Sequence, residues 1–428
     1  MGRLLVLFVT AFVDMVGLTM ILPLLPYYAT QLGGSASVVG ILISAFAVAQ
    51  LAAAPGWGRF SDRYGRRPAI LAGLVITAVA YVVFAFAGSV TALLVSRVVQ
   101  GLGGGTIGVV QAYVADASAP EQRTKSLGWL SAVTSLGAVA GPAIGSLLVR
   151  AGGQEAPGLA AAALSLVVAV FAWRYLRESR ALRASGAFTA VSHTTGRAAI
   201  RRVLSRWQEP APRLIWIYAV AIGAFYGTIQ TVPLLLQRRM GITEENIGWF
   251  VMYLGGMGVI VRSLILGPAV DRLGEARLSR LGLVLLAGGL AATGIARGWA
   301  VLALGFTLMP LGTAFVFPCV TGLLSRVVPS GERGLYMGVQ HTFGGISRVA
   351  FPIAAGFMMD ALGVGVPFWV AGLLVLVTLP LTRAMGAEPG PEPPEAVEAR
   401  KLAAADLTAE YPVEPTPGGG TPAVSGGT

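Results

Sequence analysis

Asp14 stands ten residues into an apolar run, 4–28, that holds no other charged side chain. As a helix rising 1.5 Å per residue, the run puts the carboxyl roughly 15 Å deep in a bilayer. An ionised carboxylate there costs about 2.5 to 3.5 kcal/mol, so Asp14 must face water or a partner. Apolar surroundings penalise the charged form, which makes Asp14 a candidate proton carrier; the alternative is a structural hydrogen-bonding role. Arg97 is the second group of this kind, at a depth about 12 Å from Asp14. An ion pair does not follow from that separation. Either water or a tilted helix bridges the two, or Arg97 reaches outward to the interface. Arg262, His341 and Arg348 are the other ionisable side chains inside apolar runs. Arg348, facing a cavity, would favour an anionic or zwitterionic group. His341 titrates near neutral pH, although a structural role is its plainer reading. Gln50, Gln100, Gln111, Gln230 and Gln340 are candidates to line a polar cavity.

Catalytic signatures are lacking. The chain has no Gly-x-x-x-x-Gly-Lys-Ser/Thr loop, no His-Glu-x-x-His pair and no Gly-x-Ser-x-Gly elbow at a strand-to-helix turn. Gly101-Leu102-Gly103-Gly104-Gly105 reads as close packing within a helix. A non-enzyme that needs no cofactor is expected.

The elements that position these groups follow from composition. Hydrophobic residues make up 55% of the chain and charged residues 12%, half the charge of an ordinary soluble domain. The apolar residues fall into twelve blocks long enough to cross a hydrocarbon core as helices: 4–28, 38–57, 69–87, 91–115, 126–149, 158–176, 214–236, 247–270, 278–296, 299–324, 335–359 and 366–385. Backbone groups in lipid must bond within their own segment, which requires helices. The N-terminal run is too long for a signal peptide and reads as a retained span. Cys319 is the lone cysteine, so no intrachain disulfide forms.

The net charge of +11 would point to nucleic acid in a soluble protein. Here the basic residues lie almost wholly in loops on one side. The other side holds Arg150, Arg238, Arg239 and Arg297. This positive-inside asymmetry predicts an inner-membrane protein with both termini cytoplasmic and no nucleic-acid partner.

The chain also repeats itself at an offset of about 210 residues. Pro23-Leu24-Leu25 recurs as Pro233-Leu234-Leu235, and Gly58-x-x-x-Asp62-Arg63-x-Gly65 as Gly267-x-x-x-Asp271-Arg272-x-Gly274. Arg123, Gly128 and Pro142 recur as Arg333, Gly338 and Pro352. Two fused halves of one design are predicted, with a substrate site between them. The expected fold is all-α: twelve transmembrane helices in two pseudo-symmetric six-helix bundles, 1–176 and 214–385. A cytoplasmic linker, 177–213, joins them. In it, 195–208 reads as a basic amphipathic helix with Ile200, Val203, Leu204 and Trp207 toward the anionic leaflet. The tail 386–428, rich in Pro, Glu, Gly and Ala, is expected to be disordered.

The loop 58–68, its second copy and the twelve spans resemble the major facilitator superfamily from about Leu4 to Met385. That resemblance implies a cytoplasmic latch: Gly58, Asp62, Arg63, Gly65, Arg66 and Arg67, with Asp116 closing the fourth span. Asp62 would lie at the start of span eleven and Asp271, beside Arg272, at the start of span five. Gly137, Gly141, Pro142 and Gly145 resemble the superfamily's antiporter motif, and span eleven carries an imperfect Gly344, Gly345, Pro352, Gly356 series. Arg97 resembles the fourth-span motif associated with proton transfer. Asp14 to Pro26 looks like the first span of drug:proton antiporters, the tetracycline exporters among them. The resemblance implies a monomer that exports drugs or small amphipathic metabolites by alternating access, driven by the proton gradient. An uptake symporter or uniporter is the alternative. Its partners would be a small-molecule substrate, protons and membrane lipids.

Overall fold

The computed structural model describes residues 3–118, 122–176 and 196–384; the tail and most of the linker lie outside them. The described residues are almost wholly helical. Ten helices are long and apolar enough to cross a membrane. One, Glu244–Ile295, holds two crossings, and the shorter α16 (Val366–Val377) supplies the last. Twelve crossings therefore stand where twelve apolar blocks were expected.

Several crossings are broken, and in both halves the breaks follow proline or glycine. The first crossing is α1 (Arg3–Ile21) followed by α2 (Leu25–Gln31). Its counterpart is α10 (Pro210–Ile229) followed by α11 (Val232–Met240). Pro26 and Pro233 occupy the first turns of α2 and α11, where a missing N–H costs nothing. The fourth crossing divides into α5 (Val90–Gly104) and α6 (Ile107–Asp116) at Gly105 and Thr106.

The first bundle is α1, α3 (Ala36–Tyr64), α4 (Arg66–Ala85), α5, α6, α7 (Arg123–Gly152) and α8 (Glu155–Tyr175). The second is α10 to α16, with α12 (Glu244–Ile260) and a π-turn, Val261–Ile265, leading into α13 (Leu266–Ile295). Next come α14 (Trp299–Val327) and α15 (Arg333–Leu362). The bundles meet through α3 against α15 and α7 against α12. Outward-facing side chains stay apolar: Val79, Val167, Val170, Leu373 and Val377 are exposed, as a lipid-facing belt requires. The chain is a multi-pass membrane protein.

The linker helix α9 (Gly196–Ser205) is shorter than 195–208 and sits differently from expectation. Ala199 and Val203 are buried, and α9 packs on α10 and α15. Trp216 Nε1 donates to the Val203 carbonyl at 3.1 Å. Val203 therefore faces protein, while Ile200, Leu204 and Trp207 remain exposed. Packing claimed one residue of the apolar stripe because α10 and α15 offered it an apolar seat.

Candidate functional site

A cavity of about 690 Å³ lies inside the first bundle, in the half nearer the Arg-rich end. Thr10, Asp14 and Met15 of α1 form one wall, and Thr106, Gln111 and Ala115 another. Ile70 and Leu74 of α4 and Leu130 and Ser131 of α7 complete it. Among the described residues, Asp14 is the one ionisable side chain on these walls. Thr10 turns its hydroxyl back to the Val6 carbonyl at 2.8 Å, which leaves the apolar faces, Gln111 and Asp14 to meet a ligand.

Arg97 is fully buried, and among the described residues no carboxylate pairs with it. Its Nη1 donates to Gln100 Oε1, and its guanidinium lies 4.7 Å from the Phe46 ring centre. Nε and Nη2 have no partner, nor does Gln100 Nε2. Asp14 and Arg97 form no ion pair. Gln100 serves Arg97 and is not on the walls of the Asp14 cavity, and neither are Gln230, His341 and Arg348. Gln230 is partly buried with Oε1 unpartnered. His341 is exposed, its ring 6.4 Å from that of Tyr218. Arg348 lies 4.8 Å over the Tyr226 ring. Arg262 is exposed and borders a separate cavity of about 440 Å³ with Asp271, Glu275 and Cys319.

At the Arg-rich end, Arg66 joins two carboxylates. Its Nη1 is 3.2 Å from Asp62 and its Nε 3.3 Å from Asp116. Nη1 also donates to Ser61 Oγ at 2.7 Å. Gly65 makes the joint possible: its φ of 114° ends α3 and starts α4, a backbone region that favours glycine. Gly274 does the same in the second copy at φ 74°. Gly58 and Gly267 face open space. Arg63 stacks toward Tyr64 at 5.4 Å, Arg67 donates to the Trp173 carbonyl, and Asp271 and Arg272 are exposed.

The glycines of α7 press on α1. A β-carbon at Gly137 would stand 2.7 Å from the Phe12 carbonyl oxygen. At Gly141 it would stand 2.8 Å from that of Val16, and at Gly145 2.9 Å from Met20 Cγ. Pro142 and Ser146 look the other way, to the second bundle. Ser146 Oγ accepts from Gly248 N–H at 2.9 Å and donates to the Glu244 carbonyl at 2.6 Å. The repeat-related contact joins α15 to α3, where Ser44 Oγ donates to the Val349 carbonyl at 2.7 Å. The Pro142 backbone abuts Gly248, and that of Pro352 abuts Gly40.

The end opposite the Arg-rich one is closed by further cross-bundle bonds. Asp360 of α15 accepts from the backbone N–H of Ala36 at 3.0 Å and of Ser37 at 2.8 Å. These are the first donors of α3, left free by helix geometry and attractive to a carboxylate. Tyr27 donates its hydroxyl to the Ile242 carbonyl at 3.0 Å. Gln31 Nε2 donates to Glu244 Oε1 at 3.0 Å. No sequence signal marks Asp360, Ser146 or Glu244, because their partners are backbone atoms or residues over 90 positions away.

The sequence profile of the Major Facilitator Superfamily matches residues 7–265 and 241–419. Multidrug resistance protein 2 of Bacillus subtilis is 29% identical over 381 residues, spanning 87% of this chain and 92% of that protein. The class G tetracycline resistance protein of Vibrio anguillarum is 30% identical over 387 residues, spanning 86% and 94%. Among solved structures, the fold is like that of a bacterial homologue of the human lysosomal transporter Spinster, in an inward-facing and unoccupied conformation. That likeness has a TM-score of 0.77 at 15% identity and covers 90% of this chain and 96% of that one. The human organic anion transporter MFSD10 is similar at a TM-score of 0.62 and 24% identity, over 89% and 98%. With its two repeat-related bundles, its duplicated glycine–aspartate–arginine loop and this profile match, the chain belongs to the Major Facilitator Superfamily of transporters.

Proposed function

We propose that this chain is a proton-coupled efflux antiporter for amphipathic small molecules, working by alternating access. The observation that carries the reading is Asp14, an ionisable group on the wall of a cavity otherwise lined by apolar and small polar side chains. A weakly selective apolar site of this size suits drug-like molecules. A carboxylate inside it can answer to both proton and substrate, which coupling requires. The multidrug and tetracycline resistance relatives support export over uptake.

The contacts of Asp360, Ser146 and Glu244 shut the end remote from the arginines, while the Asp14 cavity lies toward the Arg-rich end. If the Arg-rich end is cytoplasmic, this is the conformation that takes substrate from the cell. The Pro142–Gly248 and Pro352–Gly40 contacts would part as the bundles rock. Asp62, Arg66 and Asp116 would complete the opposing latch in the other state.

Ethidium efflux from energised cells lacking their own pumps tests the reading, with wild type, Asp14→Asn and Asp62→Asn at matched expression. Export that stops with a protonophore and in Asp14→Asn is the expected result. Export by wild type that persists in Asp14→Asn would remove Asp14 from the coupling.

A further inference from the structure

Tyr81 of α4 is fully buried, and its hydroxyl has no hydrogen-bond partner among the described residues. It points at α1: a β-carbon at Gly17 would stand 3.1 Å from it. Gly17 is three residues, one helical turn, from Asp14, so the two share a face of α1. On its other side the phenol adjoins Gln100, short of full hydrogen-bond geometry, within electrostatic reach of both Asp14 and Arg97. Ser96 Oγ donates to the Ala80 carbonyl at 2.8 Å and holds α5 against α4 beside this cluster.

Donor chemistry gives the cluster a direction. Arginine only donates, so Gln100 must present Oε1 to Arg97, as it does. That leaves Nε2, a donor only, for the Tyr81 side. A phenol oxygen that accepts from Nε2 keeps its own O–H free to donate. The ionisable acceptor on the α1 side within its electrostatic reach is the Asp14 carboxylate. Arg97 to Gln100 to Tyr81 to Asp14 can thus form a one-way series of donors, of which the Arg97–Gln100 bond is in place, and its last link is strongest when Asp14 is ionised. Protonation weakens that last link and lets Asp14 turn to the cavity.

We propose that Tyr81 is the positioning residue through which the buried Arg97–Gln100 pair governs proton release from Asp14. The inference rests on the proton-coupled reading above and adds a residue to it. Gly17 has a part in it, since a side chain there would push the hydroxyl away. Tyr81 also answers how two groups at different depths with no ion pair could be linked. No net chemistry occurs at Tyr81; the proton leaves or joins the Asp14 carboxyl.

The test reads Asp14 directly. The purified full-length protein in lipid vesicles is titrated by infrared spectroscopy, and the protonated-carboxyl band lost in Asp14→Asn is followed. In Tyr81→Phe the midpoint of that band should move about one pH unit higher, the size of one lost charge-assisted hydrogen bond. Gln100→Met and Gly17→Ala should move it the same way by less. A Tyr81→Phe midpoint equal to wild type overturns the proposal. If that variant does not fold, unmoved midpoints in Gln100→Met and Gly17→Ala overturn it instead. The readout does not depend on transport. A shifted midpoint without ethidium export would keep the Tyr81 link and remove the efflux reading, and export with an unmoved midpoint would do the reverse.

Discussion

Glu275 and Arg326 form an ion pair at 2.8 Å in the place where the first half has Arg66 and Asp116 at 3.3 Å. The charges are exchanged between the repeats, and the link is kept. In each case it ties the residue just after the positive-φ glycine, Gly65 or Gly274, to the end of a neighbouring helix, α6 or α14. The pairs differ in what surrounds them. Arg66 also holds Asp62, while Glu275 leaves Oε2 buried and unpartnered.

Exchange of the two residues should therefore be tolerated where single changes are not. Glu275→Arg puts a cation against Arg326 and should lower the unfolding temperature and ethidium export. Glu275→Arg with Arg326→Glu should recover more than half of both. Because Arg326 is 69% exposed, the pair itself is worth about 1 kcal/mol or less; the larger loss comes from placing like charges together. Thermal unfolding in detergent gives the comparison, and a double variant no better than the single one would sink the idea.

Asp360 should hold the remote end closed. Asp360→Ala removes a carboxylate from two helix-initiating N–H groups, each such bond contributing about 1.5 to 3 kcal/mol. The ratio of closed to open molecules should fall roughly tenfold or more. In a Cys319→Ser background, Ser44→Cys reports this, since Ser44 is buried at the α3–α15 contact. A membrane-impermeant maleimide should label it at least several-fold faster with Asp360→Ala than without. Equal rates would contradict the latch.

The α7 glycines should not tolerate bulk. Gly141→Leu places a side chain where even a β-carbon is 2.8 Å from the Val16 carbonyl oxygen. Overpacking of this kind costs about 1 to 3 kcal/mol, and it would push α1 and Asp14 out of place. Gly128→Leu, at a position with open space, should be nearly neutral. Unfolding temperatures of the two variants, side by side, check the contrast.

The linker helix should detach in acid. Partial burial works to raise the Glu209 carboxyl, but hydrogen bonds from Arg202, at 2.5 Å, and Arg206, at 3.2 Å, outweigh it and hold it below the usual carboxylate range. A lowered carboxyl contributes its stabilisation above its ordinary range, near pH 4, and loses it as pH falls through the lowered value. Fluorescence of Trp207 and Trp216 should therefore hold steady down to about pH 5 and change only below about pH 4. Glu209→Gln should give the acid spectrum already at neutral pH.

Much of this architecture is legible in the chain because lipid leaves so few options. Blocks of apolar residues must be helices, arginine-rich loops must share a side, and a repeat at about 210 residues must be two halves. Asp14 announced itself for the same reason: a lone carboxylate in an apolar run has to be explained. The breaks at Pro26 and Pro233 are also local, since proline acts on its own backbone. Other features needed the tertiary structure. The sequence placed Gln100 with the cavity candidates, whereas it bonds Arg97 one turn away on α5, and packing of α5 on α4 brought Tyr81 beside it. The apolar stripe of α9 did not say which residue would meet protein, and the seat on α10 and α15 chose Val203. Asp360 and Ser146 gained their cross-bundle bonds only when another bundle's backbone arrived at them. Single-residue properties and helical period are written along one chain. Contacts with another helix's N–H and carbonyl groups depend on crossing angle and depth, which only the packed bundles decide.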